Sequence, residues 1–125
     1  MTDQTSGRLV ALRGATTVAA DTSDDIKDRT AELLRELLQR NRVAVDDIVS
    51  VMFTTTPDLH SDFPAVAARS IGLSRTPLLC AQEIAVEGAM EHCVRVLIHA
   101  YLPVDARVRH AYLHDARQLR LDLPE

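Results

Sequence analysis

The chain has 125 residues with a formal net charge of −4 at pH 7, and 46% of its residues are apolar and 26% charged. A single-domain length with this ordinary globular mix excludes a wholly disordered, collagen-like or disulfide-scaffold chain. The acidic balance argues against a general nucleic-acid binder, which needs a basic face, and no apolar run nears the roughly 18 residues that span a bilayer.

Residues 1–8 lack the basic start and apolar stretch of a secretory signal, and read as a short disordered tail before a single domain over 9–125. Leu9-Val10-Ala11-Leu12 predicts a buried strand that runs into a turn at Gly14. Thr22 or Ser23 offers a helix N-cap, with Asp24 and Asp25 in the first turn where the dipole favours acids. Ile26, Thr30, Leu33, Leu34, Leu37 and Leu38 then mark one face of a helix of about five turns that ends near Asn41. Ile48 to Thr56 is rich in β-formers and predicts a central strand, stopped by Pro57-Asp58. Phe63-Pro64 begins a short second helix of mostly small residues, and Gly72 suits the residue past its end. Pro77-Leu78-Leu79-Cys80 is a third strand. Cys93 to Tyr101 reads as a fourth strand, with a helix as the alternative for so short an apolar run, and is stopped by Pro103; Val108 to Leu113 reads as a fifth. Gln118 to Leu121 forms a tail against the body.

The order β-α-β-α-β-β-β alternates only in its first half, so the expected fold is α/β (α+β): a mixed sheet of about five strands with two helices. Two helices cannot cover both faces of five strands. The bare face is a reason to expect oligomerisation.

Most catalytic chemistry finds no motif here. The five histidines, His60, His92, His99, His110 and His114, are scattered without zinc spacing. The four glycines are isolated, so neither a phosphate-binding loop nor a dinucleotide fingerprint is present. No serine sits in a nucleophile elbow. Cys80 and Cys93 form no CxxC pair, and without an export signal they read as small buried residues in a reducing cytoplasm. The cationic side chains are lopsided, with Lys27 the lone lysine among arginines. Coding bias explains most of that, and carboxylate-gripping forks can explain a few. What remains is a set of polar residues where strands should be apolar: Arg13, Gln82, Glu83, Arg95 and Tyr112. A charge in a buried strand is costly unless paired. One reading is a structural ion pair of Arg95 with Glu83. The other is a wet pocket with two Arg, one Glu and one Tyr, net positive and suited to a small polyanion.

The same residues sit in segments that resemble the AroH-class chorismate mutases. These are Arg13-Gly14-Ala15-Thr16-Thr17-Val18, Thr56-Pro57-Asp58-Leu59-His60 with Phe63-Pro64-Ala65, Cys80-Ala81-Gln82-Glu83, Cys93-Val94-Arg95-Val96 and Arg109-His110-Ala111-Tyr112-Leu113. The likeness runs in order from about Leu9 to Leu123. It implies a Bacillus-type chorismate mutase fold, a cytoplasmic homotrimer with active sites between subunits, and chorismate and prephenate as ligands. It implies an intramolecular Claisen rearrangement without cofactor or metal. By resemblance Arg95 is the cation at the ether oxygen, Arg13 grips a carboxylate, Glu83 accepts the ring hydroxyl's hydrogen bond and Tyr112 binds a side-chain carboxylate. Backbone groups of Leu79, Cys80 and Ala81, with Gln82, would line the same wall. Phe63, Ala65 and Arg69 would close the pocket from a neighbouring subunit, and Leu119 of the tail would meet the substrate. Two positions depart from the family pattern: Val66 stands where Lys is frequent, and Leu79 where Thr is common. Rival readings are an interfacial-Arg enamine/imine deaminase of the RidA type and a non-catalytic dicarboxylate-binding module.

Overall fold

The computed structural model of the chain describes residues 7–120. One mixed sheet holds β1 Gly7–Thr17, β2 Ile48–Thr55, β3 Leu78–Gln82, β4 Cys93–Pro103 and β5 Ala111–Tyr112, in the order β3-β2-β4-β1-β5. β4 lies at the centre and runs antiparallel to β1 and to β2. The outer pairs, β2 with β3 and β1 with β5, are parallel. Helices α1 Ser23–Asn41 and α2 Ala65–Ser70 and 3-10 segments at Val45–Asp47 and His114–Arg120 make up the rest.

α1 follows the expected boundaries. Thr22 is the N-cap and its hydroxyl accepts from the Asp25 amide at 3.1 Å. The helix ends at Arg42, whose left-handed backbone returns its N–H to the last turn. Ile26, Thr30, Leu33, Leu34 and Leu37 are buried as the periodicity requires. α2 is entered through Pro64, and Gly72 just beyond it takes φ +101°, a conformation cheap only for glycine.

Both helices cover one face of the sheet. Leu33, Leu34 and Leu37 of α1 and Ala67 and Ala68 of α2 share a core with Leu12, Phe53, Val96 and Ile98. The strand residues between these point to the other face, where Leu9, Met52, Leu79 and Tyr101 remain exposed.

Several sequence expectations shift. Gly14 is not a turn but lies inside β1, and the reason is space. A Cβ there would meet Leu37 Cδ1 at 2.8 Å, the Ala111 carbonyl at 2.9 Å and Leu33 Cδ1 at 3.0 Å. The glycine lets α1 and β5 close on β1 together. β1 also starts at Gly7, two residues inside the segment read as tail, while residues 1–6 lie outside the described residues. The fifth strand shrinks to Ala111–Tyr112 because α1 claims the backbone before it. Asn41 donates to the Arg109 carbonyl at 2.7 Å and accepts from the Arg109 amide at 2.8 Å, and Arg40 donates to the His110 carbonyl at 3.1 Å. Those groups are satisfied by side chains instead of a ladder. β4 runs two residues past the expected end at Tyr101 and takes in Pro103 as its last residue, and β3 extends to Gln82. The tail segment is a 3-10 turn up to Arg120, and Leu121 lies outside the described residues.

Candidate functional site

Strand alternation builds two cross-strand rows on the uncovered face. The first runs Tyr112, Ala15, Arg95, Thr54, Ala81 across β5, β1, β4, β2 and β3. The second runs Arg13, Leu97, Met52, Leu79 across the four longer strands. Ala15 is small, and the gap above it between Tyr112 and Arg95 becomes the floor of a cavity of about 370 Å³. Both arginines, Tyr112, Thr54, Met52, Leu97 and Leu119 line it. Register thus brings together three expected site residues, Arg13, Arg95 and Tyr112, and the 3-10 segment His114–Arg120 adds a fourth, Leu119.

Glu83 joins them by continuing the ladder past β3. Its amide donates to the Thr55 carbonyl at 2.9 Å, which keeps its side chain on the face of Ala81. One carboxylate oxygen, Oε2, accepts from Arg95 Nε at 3.0 Å and from Thr54 Oγ1 at 2.7 Å. The ion pair is not sealed: the Arg95 side chain is 43% exposed and that of Glu83 20%. Contact through Nε leaves the outer edge of the Arg95 guanidinium facing away from Glu83. The Arg13 side chain takes no hydrogen bond or ion pair among the described residues. Its amide donates to His110 Nδ1 at 3.0 Å, which fixes its backbone at the β1 edge. Two guanidiniums against one carboxylate make the cavity net positive in a chain that is net acidic. Such a site suits a small anion with more than one carboxylate.

The remaining expected residues sit elsewhere. Cys80, Ala81 and Gln82 line a second cavity of about 330 Å³ with Phe63, Pro64 and the segment 59–62, not the wall beside Arg95. The exposed Phe63 stands at this cavity. Ala65, the first residue of α2, is buried in the core, Arg69 is exposed on α2, and Leu79 is exposed on the open face beside Met52. The 56–64 segment is anchored at two points. The Asp21 carboxylate accepts from the His60 and Ser61 amides, each at 3.0 Å. Asp58 accepts from Thr56 Oγ1 at 2.6 Å and from the His92 amide at 2.9 Å. Burial pushes the Asp58 carboxyl up, but these hydrogen bonds outweigh it and hold the group below the usual aspartate range.

Cys93 is fully buried, and burial pushes its thiol up to about 11, so it is no nucleophile. Among the described residues no group of three or more His, Cys, Asp or Glu is placed to hold a metal ion, and no helix is long and apolar enough to cross a membrane. Thr54, Met52 and Leu97 were not singled out from sequence. Thr54 had a signal: it sits two residues after Met52 near the end of a strand, so it shares that residue's face.

The sequence profile of the family described as "Chorismate mutase type I" matches residues 9–123. Two curated relatives cover most of the chain. "Chorismate mutase AroH" of Thermus thermophilus is 46% identical over 115 residues, 90% of this chain and 93% of the relative. The protein of the same name from Bacillus subtilis (strain 168) is 39% identical over 115 residues, 90% of each. Among solved structures, a chorismate mutase from Clostridium thermocellum superposes with a TM-score of 0.82 at 43% identity, covering 87% of this chain and 98% of that one.

Proposed function

The chain belongs to the type I chorismate mutase family, and from that premise we propose which of its residues carry the rearrangement of chorismate to prephenate. It is an isomerase of aromatic amino acid biosynthesis. The observation that carries the residue assignment is the net-positive cavity on the open sheet face, lined by Arg13, Arg95 and Tyr112, with Glu83 bonded to Arg95 and Thr54 beside it.

The reaction is a [3,3] shift within one molecule. The substrate is a flexible dianion that must fold into a compact chair, and holding that conformer removes part of the barrier as lost freedom. Arg13, whose side chain takes no partner among the described residues, grips one carboxylate as a fork, and Tyr112 hydrogen-bonds another. As the C–O bond breaks, negative charge grows on the ether oxygen. The outer nitrogens of Arg95 meet that oxygen, and they bind the charge-separated transition state more tightly than the ground state. Glu83 accepts the ring hydroxyl's hydrogen bond through the oxygen that Arg95 and Thr54 leave untouched, and its charge favours the electron-poor ring. No proton needs to be transferred.

We further propose that the two cavities are halves of one site, joined in a homotrimer. The Arg95 cavity opens on an uncovered face with exposed Met52, Leu79 and Tyr101. The second cavity presents Phe63 and the backbone of Cys80 and Ala81, with Arg69 nearby on α2, to a neighbour. Val66 then leaves the second half less basic than the family pattern, and Leu79 supplies no hydroxyl. The free cysteines, Cys80 and Cys93, accord with a reducing cytoplasm.

The test is chorismate loss followed by ultraviolet absorbance, with prephenate identified as product. Wild-type protein turns over. Arg95→Ala and a Phe63→Ala/Arg69→Ala variant each lose activity, and co-refolding the two restores part of it through sites composed of one intact half from each. Absence of turnover by folded wild type sinks the residue assignment. Absence of complementation between two folded variants sinks the shared site.

A further inference from the structure

We infer that Thr54 is a positioning residue for this rearrangement: its hydroxyl fixes the Glu83 carboxylate, and through it keeps the outer edge of Arg95 open to the ligand. The inference rests on the assignment of Glu83 and Arg95 proposed above. Thr54 sits in the β2 ladder between Arg95 on β4 and Ala81 on β3, one residue past Phe53, which is fully buried. Its backbone is therefore held from both sides. As a β-branched residue on a strand it also has few χ1 choices. The hydroxyl is preorganised before any ligand arrives.

The geometry at Glu83 is specific. Thr54 Oγ1 at 2.7 Å and Arg95 Nε at 3.0 Å both bond to Oε2. Neither bonds to Oε1, which is left for a ligand donor. A guanidinium and a carboxylate left to themselves favour a two-point fork, in which two nitrogens meet two oxygens. Such a fork would occupy Oε1 and one outer nitrogen of Arg95, the two groups the reaction needs. The Thr54 hydroxyl takes up one direction at Oε2 and anchors the carboxylate in the one-point arrangement. Among the described residues no neighbour replaces it. Met52 and Leu97 beside it are apolar, Ala15 and Ala81 are small, and the Ser50 hydroxyl is turned to His99 at 3.2 Å.

The experiment measures kcat and KM for chorismate in wild type, Thr54→Val, Thr54→Ser, Glu83→Gln and the Thr54→Val/Glu83→Gln pair, with thermal unfolding of each. Valine keeps shape and β-propensity and removes only the hydroxyl. The expected loss in Thr54→Val is roughly 10- to 100-fold in kcat/KM, the size of one hydrogen bond to a charged group, and most of it falls in kcat. Thr54→Ser stays within about threefold of wild type, and the Val substitution costs less than about threefold when Glu83 is already Gln. Thr54→Val within threefold of wild type, alongside an impaired Glu83→Gln, overturns the inference and spares the site. An equal loss in both backgrounds, or no rescue by Ser, also overturns it, because the hydroxyl then does not act through the carboxylate. Wild-type turnover by Glu83→Gln removes the Glu83 assignment and the inference with it.

Discussion

Replacing Arg95 by alanine separates a catalytic cation from a structural ion pair, because the two roles predict opposite balances of activity and stability. Consider stability first. The pair is one-point, through Nε at 3.0 Å, with side chains 43% and 20% exposed. Exposed and half-exposed pairs contribute about 0–1 kcal/mol, and this one contributes no more. Truncation also strips the aliphatic stem from the open face, whose small core of Ala15, Cys93 and Ala116 stays in place. The expected cost is about 1 kcal/mol, or a melting shift of roughly 3–5 °C for a domain of this size. Now consider catalysis. Removing one preorganised donor aimed at developing charge costs roughly 3–4 kcal/mol, a factor of hundreds to a thousand. Arg95→Ala also leaves Glu83 without its counterion beside a dianionic substrate, so the loss in kcat/KM is expected at the upper end, about a thousandfold. Arg95→Lys keeps the charge but not the fork with its Nε contact, and recovers only part. Adding Glu83→Gln to Arg95→Ala relieves the repulsion and improves KM relative to the single variant. The assay is initial-rate loss of chorismate absorbance, paired with thermal and urea unfolding of the same samples. A folded Arg95→Ala protein with near-normal turnover refutes the reasoning, and so does a variant that loses several kcal/mol of stability in proportion to its activity.

Two further outcomes follow from packing and ionisation. Gly14→Ala forces a methyl against the Ala111 carbonyl, which cannot yield as a side-chain end can, and costs about 1–3 kcal/mol by urea unfolding; it also raises KM, because Arg13 is the adjacent residue. Asp58→Asn loses two charge-assisted bonds, worth about 1 kcal/mol after discounting for its 34% exposed side chain. The folded state lowers the Asp58 carboxyl, so its contribution is present above the ordinary aspartate value near 3.9 and fades as pH falls through the lower folded value. Urea midpoints of wild type and Asp58→Asn should therefore differ at pH 6 and converge towards pH 2; a constant gap contradicts the assignment.

The elements with strong local signals were legible, and those set by tertiary competition were not. α1 carried its cap, its acids and its apolar period within one segment, and its boundaries match at both ends. The β5 strand did not, because Val108-Arg109-His110 has β-capable residues whose backbone is taken by Asn41 and Arg40 of a helix nearly seventy residues earlier. Gly14 carried a turn signal that packing overrode: the missing side chain is needed by α1 and β5, neither of which a local reading places there. At the site, isolated polar residues within apolar strands pointed to Arg13, Arg95, Glu83 and Tyr112, since such residues must be paired or functional. The division of the expected wall between two cavities was hidden, because nothing in Cys80-Ala81-Gln82 says which neighbour its strand edge will meet.

That division bears on why the open face exists at all. A sheet covered by helices on one side must solvate the other or bury it against something. Here the open face is not polar enough to be a solvated one: Leu9, Met52, Leu79 and Tyr101 are exposed on it beside the charged cluster. An enzyme that handles a dianion without covalent chemistry needs its cations in a dry, shaped cavity, since their attraction for developing charge is weak in water. A cavity open on one side, like the one above Ala15, cannot exclude water by itself. Covering it with the Phe63 side of another copy would meet both demands in one contact, burying apolar area and drying Arg95. Assembly and catalysis would then share a free energy. Dilution below the subunit dissociation constant should reduce kcat/KM in step with the loss of trimer, measured by sedimentation on the same samples. A monomer with undiminished kcat/KM would show that one open cavity suffices.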